Sequence, residues 1–523
     1  MKKLFLLLTT GAFFIACDDS LLEPFTPGSL TEDIAITGSS DLQRLMNSTY
    51  GILGSRTDVY FTSVFTDEVG IGYANGGQGI SDLYVFFLNS SSGDVDGIWS
   101  ICYYTLSRAN RVIKFADLIT PVDSNDEELI ARMKAEALTI RALCHLRLMS
   151  YFSTDVKNDA ALATVLADRV IVAGETLPRS TNGVFYTSIH SDLNAAIAIY
   201  NTNTAAAYTN PTYYANRTLA KAMKARAYAL KGDYLNAEIW ADDVINTSNI
   251  SLATTADYTK VFWTDNELAN KEVIFRLKRT PAQNSQGSNL HNAWCSVRPN
   301  LAGSPLFEVG RSLHNLINPT NLLGTQLGTL SDIRARTMVA PSSVIDPNYA
   351  TSSDYRASDK LIIHKHGGVA TGSTTFATTA TNGNNNDIKI ARVSEMYFIK
   401  AEARTAAGDL PGAALAIEAV LDARNTVNQP TPVFANATAA WAEILKQRRI
   451  EFAFEGYRFI DLKRIGTLAG AVIDRDPADY SSSSANYPGA NPTNLTLSSY
   501  KFALPIPLSE IAANSGIQQN PGY

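Results

Sequence analysis

The chain has 523 residues, enough for two or three ordinary domains, and 45% of them are hydrophobic, so a sizeable core is available. Lys and Arg number 44 against 50 Asp and Glu, a net charge of −6 at pH 7, which disfavours a nucleic-acid partner. The four cysteines, Cys17, Cys102, Cys144 and Cys295, are too widely spaced for a disulfide framework or a zinc site, and the last three read as packing residues.

In chain order, residues 1–16 read as a secretory signal: Lys2 and Lys3 lead, Leu4 to Ile15 is apolar, and Ala16 is a small residue before Cys17. The run is too short to span a bilayer comfortably. Its ending, FFIAC, resembles a bacterial lipobox, so Cys17 is expected to become the lipidated first residue and to hold the protein at a membrane. Residues 17–30, with two prolines in LLEPFTPGSL, read as a lipidated tether. The Asp18–Asp19 start is similar to the signal that directs lipoproteins to the cell surface in some Gram-negative bacteria.

Helical periodicity then marks Tyr103 to Leu118, Asn125 to Tyr151, Asn182 to Tyr200, Trp240 to Asn246 and Ala439 to Phe454. An internal repeat organises them. KARAYALKGDYLNA (Lys224 to Ala237) and KAEARTAAGDLPGA (Lys400 to Ala413) share Lys, Ala, Ala, Gly, Asp and Ala in register. Alanines let two helices approach closely, while each Gly-Asp pair ends one helix and caps the next. The unit resembles a tetratricopeptide helix pair. The expected fold is therefore mainly α: a tetratricopeptide-like helix-pair scaffold with long loops and a few short strands. Residues 31–255 form an N-terminal helical part, and 256–523 a C-terminal part containing a loop-rich insert at 256–386. Within the insert, VIFRLKR and KLIIHKH read as strands.

QRRIEFAFEGYRFIDLKRIG, from Gln447 to Gly466, resembles the signature helix pair of the SusD/RagB family of outer-membrane nutrient-binding lipoproteins. KAEALTIRALCHLRLMSYF (Lys134 to Phe152), ARVSEMYFIKAEARTAAGD (Ala391 to Asp409) and LPIPLSEIAANSGIQQNPGY (Leu504 to Tyr523) are similar to its other helical and closing segments, in the same order. The signature residues read as structural. Arg448 and Arg449 lie beside an apolar stripe and need carboxylates, which Glu451, Glu455 and Asp461 are near enough to supply. Gly456 permits a sharp reversal after the first helix. An acid/base role for Glu451 and Asp461 conflicts with arginines dense enough to hold both ionised.

No HExxH, GxSxG, Walker-type or dinucleotide motif is present. His364 and His366 would share one side of a strand, and TNGNNND (Thr381 to Asp387) is rich in oxygen ligands, yet a solvated strand and a plain turn suit them better than metal sites. No metal, cofactor or catalytic residue is therefore called for. What remains is binding. Sugars are held by stacking on an aromatic ring while Asp, Asn and Arg bond their hydroxyls. FTDEVGIGYANGGQG places Tyr73 near Asp67 and Asn75, and HNAWCSVRPN places Trp294 near Arg298; these five are the candidate ligand residues. Trp99, beside a helix start, reads as core.

The resemblance implies a cell-surface lipoprotein that captures an oligosaccharide and hands it to a SusC-type TonB-dependent transporter. A peptide or other nutrient is the alternative ligand. A surface glycoside hydrolase would need two carboxylates about 5–9.5 Å apart across a cleft, and a tetratricopeptide adaptor would use only its helical surface.

Overall fold

Helix α1 (Ser39–Leu53) buries Leu42, Met46, Thr49 and Leu53, one stripe at helical spacing. Helix α2 (Thr57–Phe65) and strand β1 (Val69–Ile71) follow. The computed structural model describes residues 32–523 except 55, 73–80, 264–270, 280–289, 291–293, 295–305, 353–357, 367–386, 482–486 and 488–489, so the expected signal and tether lie outside the described residues. Helices α3 (Gly93–Ala116) and α4 (Ser124–Phe152) lie side by side, and the Asp123 side chain caps α4 by accepting from the Asp126 amide at 2.8 Å. Helix α3 starts well before the expected Tyr103. Its glycine-rich opening reads as a breaker but serves close packing, because a Cβ at Gly97 would fall 2.9 Å from Thr57 Cγ2. Trp99 in this added length is buried edge-on against Phe152, at 5.0 Å. Cys102 and Cys144 are buried free thiols on α3 and α4; Cys295 lies outside the described residues.

Strands β2 (Leu162–Val165) and β3 (Arg179–Thr181) pair antiparallel, and helix α5 (Asn182–Thr202) returns along α4. Helices α6 (Arg217–Lys231) and α7 (Tyr234–Thr247) are the first copy of the repeat. Next come α8 (Tyr258–Trp263), β4 (Val273–Leu277), β5 (Phe307–Val309), α9 (Arg311–Ile317), α10 (Ile333–Met338) and β6 (Ile388–Arg392). The second copy is α11 (Val393–Ala406) with α12 (Leu410–Arg424), and α13 (Ala437–Glu451) and α14 (Arg458–Ile465) follow.

The repeat folds as its residues require. Gly232 and Gly408 take left-handed φ of +84° and +79° at the two helix ends. Asp233 and Asp409 then cap the next helices, accepting from the Asn236 and Gly412 amides at 3.2 and 2.9 Å. Helix α7 begins at Tyr234 rather than Trp240, because exposed Leu235 and Ile239 blur the apolar periodicity while the cap fixes the start. The hairpins stack with α11 on α7, and Lys400–Asp242 (2.8 Å) and Arg404–Glu238 bridge them. Such partly exposed pairs contribute about 0–1 kcal/mol each. Buried Ala237, Ala241, Ala401 and Ala403 carry more, at about 0.8 kcal/mol per methyl-sized group together with the close approach they allow.

Two short ladders organise the insert. Strand β4 pairs antiparallel with β6, from Val273 opposite Arg392 to Leu277 opposite Ile388, and β1 pairs with β5, Ile71 opposite Phe307. The expected strand at KLIIHKH is corrected: only Lys360 and Ile363 make single bridges, to Val344 and Val339. Leu361, Ile362, Ile363, His364, Lys365 and His366 are all buried, so the run is enclosed on every side instead of alternating across a sheet. His364 stacks on Trp263 at 4.2 Å, and His366 Nε2 lies 2.9 Å from the Phe454 carbonyl oxygen.

Candidate functional site

The β1–β5 ladder fixes where the described chain stops before Tyr73 and resumes after Arg298. Beyond the Ile71–Phe307 pair, the Gly72 amide donates to the Leu306 carbonyl at 2.9 Å. The chain heading for Tyr73 and Asn75 therefore departs beside the chain returning from Arg298, and both loops singled out in the sequence share one root.

A continuous bank of rings surrounds that root. Tyr60, on the first turn of α2, stacks on Trp294 at 6.1 Å and meets Phe307 edge-on at 6.1 Å. Phe307 lies 6.4 Å from Tyr84, which contacts Tyr480 at 6.2 Å and Tyr487 at 6.1 Å; these two sit 4.7 Å apart. Trp294, Phe307 and Tyr84 are buried, whereas Tyr60, Tyr480 and Tyr487 are half-buried and keep ring surface at the boundary with solvent. Arg475 fixes the base of the bank. Its guanidinium lies 4.1 Å from the Tyr84 ring and donates to the carbonyls of Thr66, Tyr84 and Val64 at 2.7–2.9 Å. The Tyr480 and Tyr487 hydroxyls donate to Thr493 and Pro492 carbonyls at 2.7 and 2.6 Å, which orients both rings. Burial, aided by Asp94, pushes the Tyr60 phenol up to about 12, so it remains a hydrogen-bond donor at neutral pH. Half-buried rings with fixed orientation and polar neighbours suit a ligand with both an apolar face and hydroxyls.

The sequence-derived candidates fare unevenly. Tyr73, Asn75 and Arg298 lie outside the described residues, as does Cys17. Asp67 is corrected: it is 1% exposed and takes Arg458 Nε and Nη2 at 2.8 Å each, with the Asp474 amide at 2.8 Å. Burial alone would raise its carboxyl, but Arg449 and Arg458 outweigh this and hold it well below the ordinary carboxylate range. It is a scaffold anion. Trp294 is corrected as well, since it is fully buried against Tyr60 and Phe454 and underlies the bank instead of forming an exposed platform. Tyr60, Tyr480 and Tyr487 were missed. DYSSSSANYPGANPTN, which carries the last two, has the same tyrosine-in-small-polar-loop composition that selected Tyr73.

Behind the bank, the signature helices are pinned by buried charge. Arg392 at the end of β6 bonds Glu272 (2.5 Å), Glu451 (2.7 Å) and Glu455 (2.8 Å), and Arg424 at the end of α12 bonds Glu272 and Glu451 at 2.8 and 2.9 Å. Lys365 adds a 2.6 Å bond to Glu455. A second cluster joins Arg448 to Asp461 (2.8 Å), and Arg464 to Asp461 (2.9 Å) and Glu402 (2.5 Å). The sequence-derived pairing of Asp461 with Arg448 holds. Glu451 and Glu455 instead find partners from β6, α12 and the Lys365 segment, while Arg449 reaches Asp474 at 3.0 Å. Burial works against ionisation of Glu451 and Asp461, yet the arginines prevail and keep both carboxyls below their usual range. Gly456 turns the chain between α13 and α14 with φ +87°.

Residues 333–523 match the SusD family, and residues 33–232 match a family described as starch-binding associating with the outer membrane. The chain is 23% identical to SusD-like protein P2 of Formosa agariphila over 531 residues, 97% of each chain. It is similar in fold to a SusD superfamily protein from Bacteroides thetaiotaomicron, with a TM-score of 0.72, 24% identity and coverage of 93% of this chain and 100% of that one. It also resembles surface glycan-binding protein A from Bacteroides fluxus, with a TM-score of 0.67, 20% identity and coverage of 93% and 100%. With both halves matched and a relative aligned along almost its whole length, the chain belongs to the SusD/RagB family.

Proposed function

We propose that the protein binds an oligosaccharide at the aromatic bank and delivers it to a SusC-type TonB-dependent transporter at the outer membrane, where a lipid on Cys17 anchors it on the cell surface. The observation that carries the reading is the half-buried trio Tyr60, Tyr480 and Tyr487 around the common root of two long loops. The family described as starch-binding at the outer membrane and the likeness to a surface glycan-binding protein support it. Among the described residues no helix is long and apolar enough to cross a membrane.

Binding without covalent chemistry is the reading for the carboxylates too. Glu451 and Asp461 are buried within arginines that keep them ionised, so neither has a proton to give as a general acid. The test is a glycan array probed with the Cys17→Ala chain, followed by calorimetric titration of any hit. Recognition of an oligosaccharide is expected, and an array without a hit would overturn the reading. Detergent-phase partitioning lost in Cys17→Ala but present in the unaltered chain is the expected sign of the lipid anchor.

A further inference from the structure

One arginine beside the bank lacks what every other buried arginine described above possesses. Arg279, two residues past β4, is 4% exposed, and its Nε and Nη2 have no hydrogen-bond partner among the described residues. Its backbone amide donates to Asp387 Oδ1 at 2.9 Å, and the same carboxylate is the one anion that acts on its guanidinium among the described residues. Arg392, Arg424 and Arg464 are equally buried and each meets carboxylates within 3 Å. A guanidinium offers five donors in a rigid fork, and leaving them unmatched in a buried site is unfavourable unless something completes them.

The surroundings put this fork close to the start of the helix that carries Tyr60. It lies against Gly54, where a Cβ would fall 2.7 Å from Arg279 Nη1, so the bare glycine makes the room it occupies. Two residues on, Arg56 stands at the N-cap of the nine-residue helix α2, whose positive end no side chain caps. The Arg56 carbonyl accepts from the Tyr60 amide at 2.9 Å, so Arg56 lies one turn from the half-buried Tyr60, and Arg279 is near enough to Arg56 to feel its charge. Burial brings Arg279 down to about 10, with Asp387 opposing and the like charge of Arg56 adding to the fall, so it is still fully charged at neutral pH. The local balance is positive. Asp387 is shared with Arg276 (3.5 Å) and Lys278 (3.7 Å), and Asp94 acts on Arg56, so four cations face two carboxylates among the described residues.

We propose that the glycan taken here carries an anionic oxygen group, a carboxylate or a sulfate ester, which Arg279 and Arg56 clamp while Tyr60 contacts the sugar ring. Two oxygens of an anion, either both of a planar carboxylate or two along one edge of a tetrahedral sulfate ester, match the unpaired Nε–Nη2 edge of Arg279, and the uncapped end of α2 favours negative charge nearby. The inference rests on the carbohydrate-binding reading and narrows it to acidic glycans.

The experiment titrates the Cys17→Ala chain calorimetrically with four probes: oligogalacturonides for the carboxylate, sulfated carrageenan oligosaccharides for the sulfate ester, and neutral xylo- and malto-oligosaccharides. Binding of one acidic probe above both neutral ones is expected, with affinity falling as salt rises and at least tenfold lower in Arg279→Gln. Which acidic probe binds identifies the anion. Arg56→Gln, at a partly exposed position, should lower the same affinity and serves as the deciding variant should Arg279→Gln fail to fold. Preference for a neutral probe, or acidic binding unchanged in both variants, would overturn the inference and leave sugar binding standing. Failure of every glycan, on the array and in titration, would overturn sugar binding itself.

Discussion

Two regions within one molecule treat their side chains in opposite ways. Around the ends of β6, α12 and α13, Arg392, Arg424, Lys365, Glu272, Glu451 and Glu455 are nearly or fully enclosed and paired among themselves. Around the β1–β5 root, Tyr60, Tyr480 and Tyr487 are half-buried; the Tyr480 and Tyr487 hydroxyls donate to one carbonyl each, and Tyr480 also accepts from Arg475 at 3.4 Å. The first region gains nothing from contact with a ligand and loses heavily if one partner goes. The second can lose a ring at small cost to the fold, which is what a surface whose loops vary requires.

The sharpest way to break that contrast is Glu451→Ala. It leaves the buried cluster one carboxylate short, with Arg392 and Arg424 sharing Glu272 and Arg392 keeping Glu455, so a loss of about 3–5 kcal/mol is expected in urea unfolding. A loss under about 1 kcal/mol would show that the network is not the scaffold.

Glu136 supplies the next contrast, because it is as buried as Glu451 but faces phenols rather than close guanidiniums. It accepts from Tyr50 at 2.7 Å and Tyr208 at 2.8 Å, with Arg132 Nε 3.8 Å away, and burial pushes its carboxyl up to about 7. A carboxyl raised on folding binds an extra proton in the native state, so stability falls as pH rises from about 4.3, the unfolded value, to about 7. Asp67, Glu451 and Asp461 have the opposite sign: their contribution is present above the unfolded carboxylate range and is lost as pH falls through it. Glu136→Gln should therefore gain on the unaltered protein by up to about 3 kcal/mol between pH 5 and pH 8. Parallel stability curves across that range would place Glu136 with the paired carboxylates instead.

Gly456→Val comes third. A β-branched residue at φ +87° is strained by about 1–3 kcal/mol, and its Cβ would meet Val59 Cγ2 at 3.4 Å. An unchanged melting temperature would mean the reversal tolerates side chains.

The scaffold was far more legible in the sequence than the site. The Gly-Asp pairs state their own turns and caps, and Arg448 beside an apolar stripe demands an anion that Asp461 supplies 13 residues on, on the next helix. Distant partners leave no such trace. Nothing in the sequence joins Arg458 to Asp67 or Arg392 to Glu272, so Asp67 read as a ligand group in a glycine-rich loop when it is a buried counter-ion. Trp294 misled for a related reason: a tryptophan in a polar segment looks exposed, yet Tyr60 and Phe454 from remote segments cover it. Tyr480 was visible by composition, but its nearness to Tyr84 exists only once β1 and the C-terminal segment have met.

Whether the half-buried rings bind sugar while the buried charges hold the fold is decided by titrating Tyr60→Ala and Tyr480→Ala with an oligosaccharide that the unaltered protein binds, alongside thermal melts. A loss of about 1–3 kcal/mol of binding is expected in at least one variant, by analogy with stacking on aromatic rings in other complexes, with melting temperatures close to the unaltered protein's. Unaltered affinity in both variants, or a melting temperature lowered as far as that of Glu451→Ala, would contradict it.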